Sequence, residues 1–250
     1  MDPLADLNPT GRFTDRVEDY VRYRPGYPAA AVDHVLEGLA PGATVVDVGA
    51  GTGIWTVLLA ARRRPVIALE PNAAMRAAAL ARAGVSWRAG AAEDTGLADA
   101  SASLITVAQA FHWFRAAEAL REFARVLAPG GRLALVWNRR RKDDAFTAGY
   151  RDAITSVSGE SAAETMTFDP AVIPASGRFA PADRIVFEHA QELDRAGRHG
   201  RARSASYVPK HGPRAEELGA RLDTLFDVHG DANGRVRLLY ECEVWRTTRP

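Results

Sequence analysis

The chain has 250 residues, 47% hydrophobic and 25% charged, a composition that excludes collagen-like, disordered and disulfide-scaffold proteins. With 32 Lys+Arg against 31 Asp+Glu the formal net charge is +1, so there is no broad positive field to hold a nucleic-acid backbone. The length allows one large α/β domain, or a core with an appendage, and needs no metal or disulfide staple.

The single cysteine, Cys242, excludes an intramolecular disulfide, and the opening MDPLADLNPT lacks the basic and apolar regions of a signal peptide. No apolar run reaches the roughly 20 residues that span a bilayer. A cytoplasmic protein without a membrane span is expected.

In chain order, YPAAAVDHVLEGL places Pro28 near a helix start and Val32, Val35, Leu36 and Leu39 on one face, which predicts a covering helix. From Thr44 to Asn138, short apolar runs alternate with Ala/Leu-rich stretches, as in βαβ units that feed a parallel sheet. TVVDV reads as a buried strand and IWTVLLAARRR as the helix after it. VIALE is the second strand, followed by a helix with Asn72 as N-cap and Gly84 as its stop. VSWRA, SLITVAQ and RLALVWN supply three more strands, with the helix AAEALREFARVL and a Pro129-Gly130-Gly131 turn before the last.

Beyond Arg139 the pattern loosens. A helix from Ala145 to Val157 and a polar segment with Pro170, Pro174 and Pro181 read as an inserted cap or lid over about 139–183. RIVFEHA and RVRLLYECEVWRT are strands, and EELGARLDTLFDVHG is the helix between them.

The sharpest motif is VVDVGAGTG, in which a buried strand carries Asp47 and runs into Gly49, Gly51 and Gly53 before a helix begins. Glycines let the backbone turn tightly and approach a ligand, and the helix start offers free N–H groups. A dinucleotide fingerprint fails here, because its third glycine would fall at Ile54 or Thr56, and no Gly-Lys-Ser/Thr closes a phosphate loop.

This acid, glycine spacing and strand-to-helix setting resembles the class I S-adenosylmethionine (SAM)-dependent methyltransferases, closely over Phe13 to Asn138 and loosely from Ala145 on. VAQAFHWF, RVLAPGGRLALVWN, RVEDYVRYRPGYP and ARSASYV resemble the methyltransferase type 11-like small-molecule subset. The resemblance implies a Rossmann-like, mostly parallel seven-stranded α/β sheet with helices on both faces, N-terminal covering helices and a cap after the fifth strand. The whole chain, 1–250, would then be one methyltransferase domain with its core at about 40–138.

The resemblance also implies the site. S-adenosyl-L-methionine would contact Asp47, Gly49, Ala50, Gly51, Thr52 and Gly53 in the loop, and Glu70 at the end of the second strand would hold the ribose hydroxyls. Pro71 and Met75 would adjoin Glu70, while Ala92 and Glu93 in GAAEDTG would lie near the base. Ala108 and Gln109 would line the methyl-transfer centre, and Tyr20, Tyr23 and Arg24 would fold over the methionine end. Phe111, Trp113, Trp137 and Tyr207 would meet a small-molecule acceptor, and His112 would act as base if the acceptor is a hydroxyl or amine.

Alternatives stand beside these readings. His112 among aromatics is equally a packing residue, Cys242 reads as a buried structural thiol, and Trp137 serves equally as core. Arg195, Arg198, His199, Arg201 and Arg203 offer a carboxylate or phosphate site, although a solvated face is the stronger expectation in this Arg-biased chain. No histidine or cysteine spacing fits a metal. A SAM-binding cyclase, lyase or ligand sensor of the same fold stays open. An RNA methyltransferase is disfavoured by the balanced charge, a DNA amino-methyltransferase by Ala-Gln-Ala-Phe after the fourth strand, and both monomer and homodimer remain open.

Overall fold

A computed structural model describes residues 17–79, 83–158 and 168–250. The elements in chain order are α1 (Val17–Tyr23), α2 (Ala29–Leu36), β1 (Val45–Val48), α3 (Ile54–Ala60), β2 (Val66–Leu69), α4 (Ala73–Ala77), β3 (Val85–Arg88) and β4 (Ala102–Ala108). A short 3-10 turn (Phe111–Trp113), α5 (Ala116–Val126), β5 (Leu127–Arg140), α6 (Ala145–Ser158), α7 (Val172–Ala175), β6 (Asp183–Leu193), α8 (Arg195–Arg203), α9 (Pro213–His229) and β7 (Val236–Thr248) follow.

The seven strands form one sheet in the order β3-β2-β1-β4-β5-β7-β6. β1 to β5 run parallel, and β7 pairs antiparallel with both β5 and β6. The order reverses direction between β1 and β4, and the crevice at the carboxyl ends of strands at such a switch point is where open α/β sheets bind ligands.

The apolar runs that specify the parallel strands are buried on both faces because successive side chains point to opposite sides. Val46 and Val48 join Ile105, Val107, Leu120 and Phe123 on one side, while Val45 and Leu104 meet Val32, Val35, Trp55 and Leu59 on the other. Asn72 caps α4 through its Oδ1, which accepts the Met75 N–H at 3.0 Å. A third apolar cluster gathers Tyr150, Ile154, Ala202, Leu222, Leu238 and Tyr240 beside the stretch where β7 pairs with the end of β5.

Two features differ from the sequence expectations. Pro129-Gly130-Gly131 lies within β5 rather than forming a separate turn, because the end of β7 pins it: the Gly130 N–H donates to the Arg249 carbonyl at 3.1 Å, and the Arg249 N–H to that of Gly131 at 2.8 Å. In the expected cap or lid, Phe168, Ile173 and Phe179 pack into the main apolar cluster. Residues 159–167 of that expected lid lie outside the described residues.

The second concerns the basic stretch of α8. Arg198 and Arg201 are 0% and 4% exposed, so that helix face is not solvated, although Arg195 and Arg203 are exposed. Arg198 and Arg201 are three apart and share a face with Ala202 and Ala205, which pack into the third cluster. No helix among the described residues is long and apolar enough to cross a membrane.

Candidate active site

The Gly49–Gly53 loop leaves β1 with Gly49, Gly51 and Gly53 all at positive φ. A Cβ at Gly49 would lie 2.7 Å from the Ala110 Cβ, so this glycine exists for close packing. At Gly51 the nearest atoms would be the Met75 Cε at 3.7 Å and the Tyr20 hydroxyl at 3.9 Å, which leaves its face open.

Two carboxylates organise the loop. The Glu70 Oε2 accepts the Gly51 N–H at 2.9 Å, and its Oε1 accepts the Asn72 N–H at 2.8 Å. Asp47 is 1% exposed and accepts the Thr56 hydroxyl at 2.5 Å and the Thr106 hydroxyl at 3.2 Å. Burial raises both: Glu70 lies above its ordinary value despite its N–H donors, and Asp47 is pushed up to about 7 against the pull of its two threonines.

Asp47, Gly49 and Ala50 line a cavity at the strand switch point together with Ala108 and Gln109 from the end of β4. Ile54 and Trp55 at the start of α3, Asn138 of β5 and Tyr240 of β7 add to the wall, and Tyr20, Arg24, Pro25, Tyr27 and Arg201 close it from α1, the segment after it and α8. Gln109 holds a left-handed φ of 58°, a strained conformation for a residue with a side chain. Its amide donates to the Asn138 carbonyl at 3.0 Å, which fixes the end of β4 against β5.

The polar demand of this wall is unmet by the chain. The Arg24 Nε, the Trp55 Nε1 and the Asn138 Oδ1 are buried without a hydrogen-bond partner, as is the hydroxyl of Thr52 in the loop. Such groups are costly unless a ligand or water satisfies them. Donors and acceptors of both kinds, beside an open glycine and a carboxylate with unused lone pairs, fit a polar nucleoside-type cofactor.

The remaining sequence-stated residues divide. Pro71 is exposed and Met75 is buried behind Gly51. Ala92 is buried in the apolar cluster, and Glu93 accepts the Arg115 N–H at 2.8 Å ahead of α5, so neither lines this cavity. Tyr23 is also outside it: its ring covers Gly200, and its carbonyl accepts from the Gln191 amide at 2.9 Å. Gly53 packs on Trp87.

Phe111 is 2% exposed and edge-on to Phe114 and Phe168, which makes it a core residue. His112 lies with its ring centroid 4.6 Å from that of Trp113 and 5.2 Å from that of Trp137. Burial, with the Arg24 charge, lowers its pKa to about 4, so the imidazole is neutral at neutral pH, and its Nδ1 is buried without a partner. Tyr207 is half-buried; burial raises its phenol, but Arg140, Arg201 and Arg24 outweigh that and hold it below its ordinary value.

Sequence reasoning missed Tyr27, Trp55, Asn138 and Tyr240, which come together only through tertiary contacts. Tyr27 and Trp55 stand edge to face with centroids 4.9 Å apart. Arg201, which lines the cavity, belongs to the basic stretch that the sequence offered as a carboxylate or phosphate site.

A family model described as a methyltransferase domain matches residues 46–135. Over this segment the chain is similar to methyltransferase domains. It is 44% identical over 132 residues to an uncharacterized methyltransferase of Mycobacterium tuberculosis, a match covering 51% of this chain and 52% of that protein. Over 94 residues it is 44% identical to the ubiquinone/menaquinone biosynthesis C-methyltransferase of Rubrivivax gelatinosus, covering 36% and 38% respectively. The chain spans about half the length, or less, of these two curated relatives. A solved protein of Anaeromyxobacter dehalogenans, assigned as a type II methyltransferase, superposes with a TM-score of 0.65 at 23% identity over 91% of this chain and 98% of that one, which supports the fold.

Proposed function

We propose that this protein transfers the methyl group of S-adenosyl-L-methionine to an O, N or C nucleophile of a small-molecule acceptor, with S-adenosyl-L-homocysteine as product, and that the whole chain forms one domain for that purpose. The observation that carries this reading is the Glu70 carboxylate, bonded to the Gly51 and Asn72 N–H groups at the mouth of the glycine loop. A carboxylate offers about four lone-pair sites, so two remain for a pair of ribose hydroxyls.

When bound, the cofactor supplies an electrophilic methyl on a sulfonium leaving group, and the protein's task is alignment and exclusion of water. Gly51 gives an open backbone along which the cofactor would lie. Tyr20 and Arg24 would hold its methionine end, the Arg24 guanidinium being suited to a carboxylate. Tyr27 and Trp55 supply an apolar, water-excluding wall.

His112 is neutral at physiological pH and therefore free to accept the proton of a hydroxyl or amine acceptor, whereas a carboxylate acceptor needs no base. A small acceptor is favoured because side chains of α1 and α8 close the cavity.

Calorimetric titration of SAM and S-adenosylhomocysteine into the purified protein tests the reading. Micromolar binding of both is expected, and Glu70→Ala should weaken it by about 2 kcal/mol, roughly thirtyfold, through loss of charge-assisted hydrogen bonds. No binding in a well-folded sample, or unchanged affinity in the variant, overturns it. Transfer of labelled methyl from SAM to an acceptor separates an enzyme from a module that only binds.

A further inference from the structure

Two guanidinium groups line the cavity without a carboxylate partner among the described residues. Arg24 donates through Nη2 to the Ser204 carbonyl at 3.0 Å and stacks over the Tyr20 ring at 4.8 Å. Arg201 donates through Nε to the Tyr240 hydroxyl at 3.2 Å and through Nη1 to the Ser204 hydroxyl at 3.4 Å. Their hydrogen-bond partners among the described residues are thus neutral oxygens. The side chains around Arg201 are the phenols of Tyr240, Tyr150 and Tyr207 rather than carboxylates. The Tyr150 hydroxyl is itself buried without a partner near Arg201.

Charge arithmetic then says what the cavity lacks. On the reading proposed above, SAM brings one carboxylate, one ammonium and one sulfonium, a net charge of +1. Its carboxylate answers one arginine, Arg24, and its sulfonium adds a further positive charge. Of the acidic groups at hand, Asp47 is engaged by Thr56 and Thr106, and Glu70 is bonded to the loop. Arg201, 4% exposed and lining the cavity, remains a buried cation without a counter-ion among the described residues. An uncompensated buried charge is strongly unfavourable, and a guanidinium fork matches a planar or tetrahedral oxyanion.

We infer that the methyl acceptor is an anion, carrying a carboxylate or phosphate group, and that Arg201 is its anchoring residue. This rests on the methyl-transfer reading only for the role of the anion as acceptor; the anion site itself can be measured without the cofactor.

The test is calorimetric titration of citrate, pyrophosphate and neutral glycerol into the protein, both free and saturated with S-adenosylhomocysteine, at low ionic strength. At least one of the anions is expected to bind below about 1 mM while glycerol does not, and which anion binds separates carboxylate from phosphate recognition. Arg201→Gln should weaken the anion at least tenfold, and by a larger factor than it weakens S-adenosylhomocysteine. Arg201→Lys, which keeps the charge and loses the two-pronged fork, should weaken it severalfold and serves if the glutamine variant does not fold. If neither anion binds better than glycerol, or the folded variants bind it as the parent does, the inference fails. Normal S-adenosylhomocysteine binding with no anion binding refutes only this inference, whereas anion binding without S-adenosylhomocysteine binding refutes the methyl-transfer reading.

Discussion

Asp47 pairs burial with a raised pKa, and the sign of that shift sets a pH dependence. Its folded value of about 7 exceeds the ordinary 3.8, so the folded state binds the proton more tightly. No penalty exists below pH 4, the penalty grows between pH 4 and 7, and it is fully present above pH 7. Asp47→Asn is therefore expected to raise stability above pH 7, by about 1–3 kcal/mol after some loss of hydrogen bonding, with the gap over the parent closing toward pH 4. Thermal melts of both proteins from pH 4 to 8 check this; a gap independent of pH would contradict it.

His112 carries the opposite kind of shift, with a pKa of about 4 that leaves it neutral over the working range. With a hydroxyl acceptor, kcat should lose its acid limb near pH 4 rather than near the usual histidine value, and His112→Ala should lower kcat on the order of a hundredfold with SAM affinity nearly intact. A matching fall in SAM affinity would leave His112 a packing residue. Its place beside Trp113 and the glycine loop were legible in the sequence, but its burial under the Arg24 charge was not, because Arg24 reaches it from 88 positions away in the chain.

At the scale of elements, the glycine loop shows that one motif holds residues of unlike purpose. Gly49→Ala meets the Ala110 side chain and adds strain at a positive φ, so a loss of about 2–3 kcal/mol in stability is expected. Gly51→Ala carries the φ cost alone, about 1 kcal/mol, yet places a methyl where the cofactor would lie. Melting temperature should fall more for the first, and the KM for SAM should rise more for the second in proportion to its stability loss.

The parallel strands and their helices were readable because each is a short apolar run or a 3.6-residue pattern written locally. What escaped depends on distant partners. The β5 extension through Pro129-Gly130-Gly131 exists because residue 249 pairs with it, and the buried face of α8 exists because Tyr240 and Tyr23 come to meet it. Asn138, at the end of a predicted strand, gained its role only when the Gly26 carbonyl accepted its amide at 2.9 Å.

For the whole molecule, Cys242 is a reporter. It sits in β7 opposite Asn138 on one side and Phe187 on the other, it is 0% exposed, and burial pushes its thiol up to about 12. A thiol reagent should thus label the native protein slowly, at a rate that tracks the opening of the β5–β7–β6 ladder and rises steeply with denaturant. Fast labelling in native buffer would mean that β7 is far less secure than its pairing implies.

The position of β7 also sets an order in time. On the ribosome β6 is made before β7, yet the two strands that belong on either side of β7 cannot be joined until it arrives between them. A nascent chain that has emerged only as far as α9 holds the glycine loop and most of the parallel sheet, but it presents two unpaired strand edges and lacks Tyr240 on the cavity wall. The wall of the cavity is thus complete only once β7 has been made.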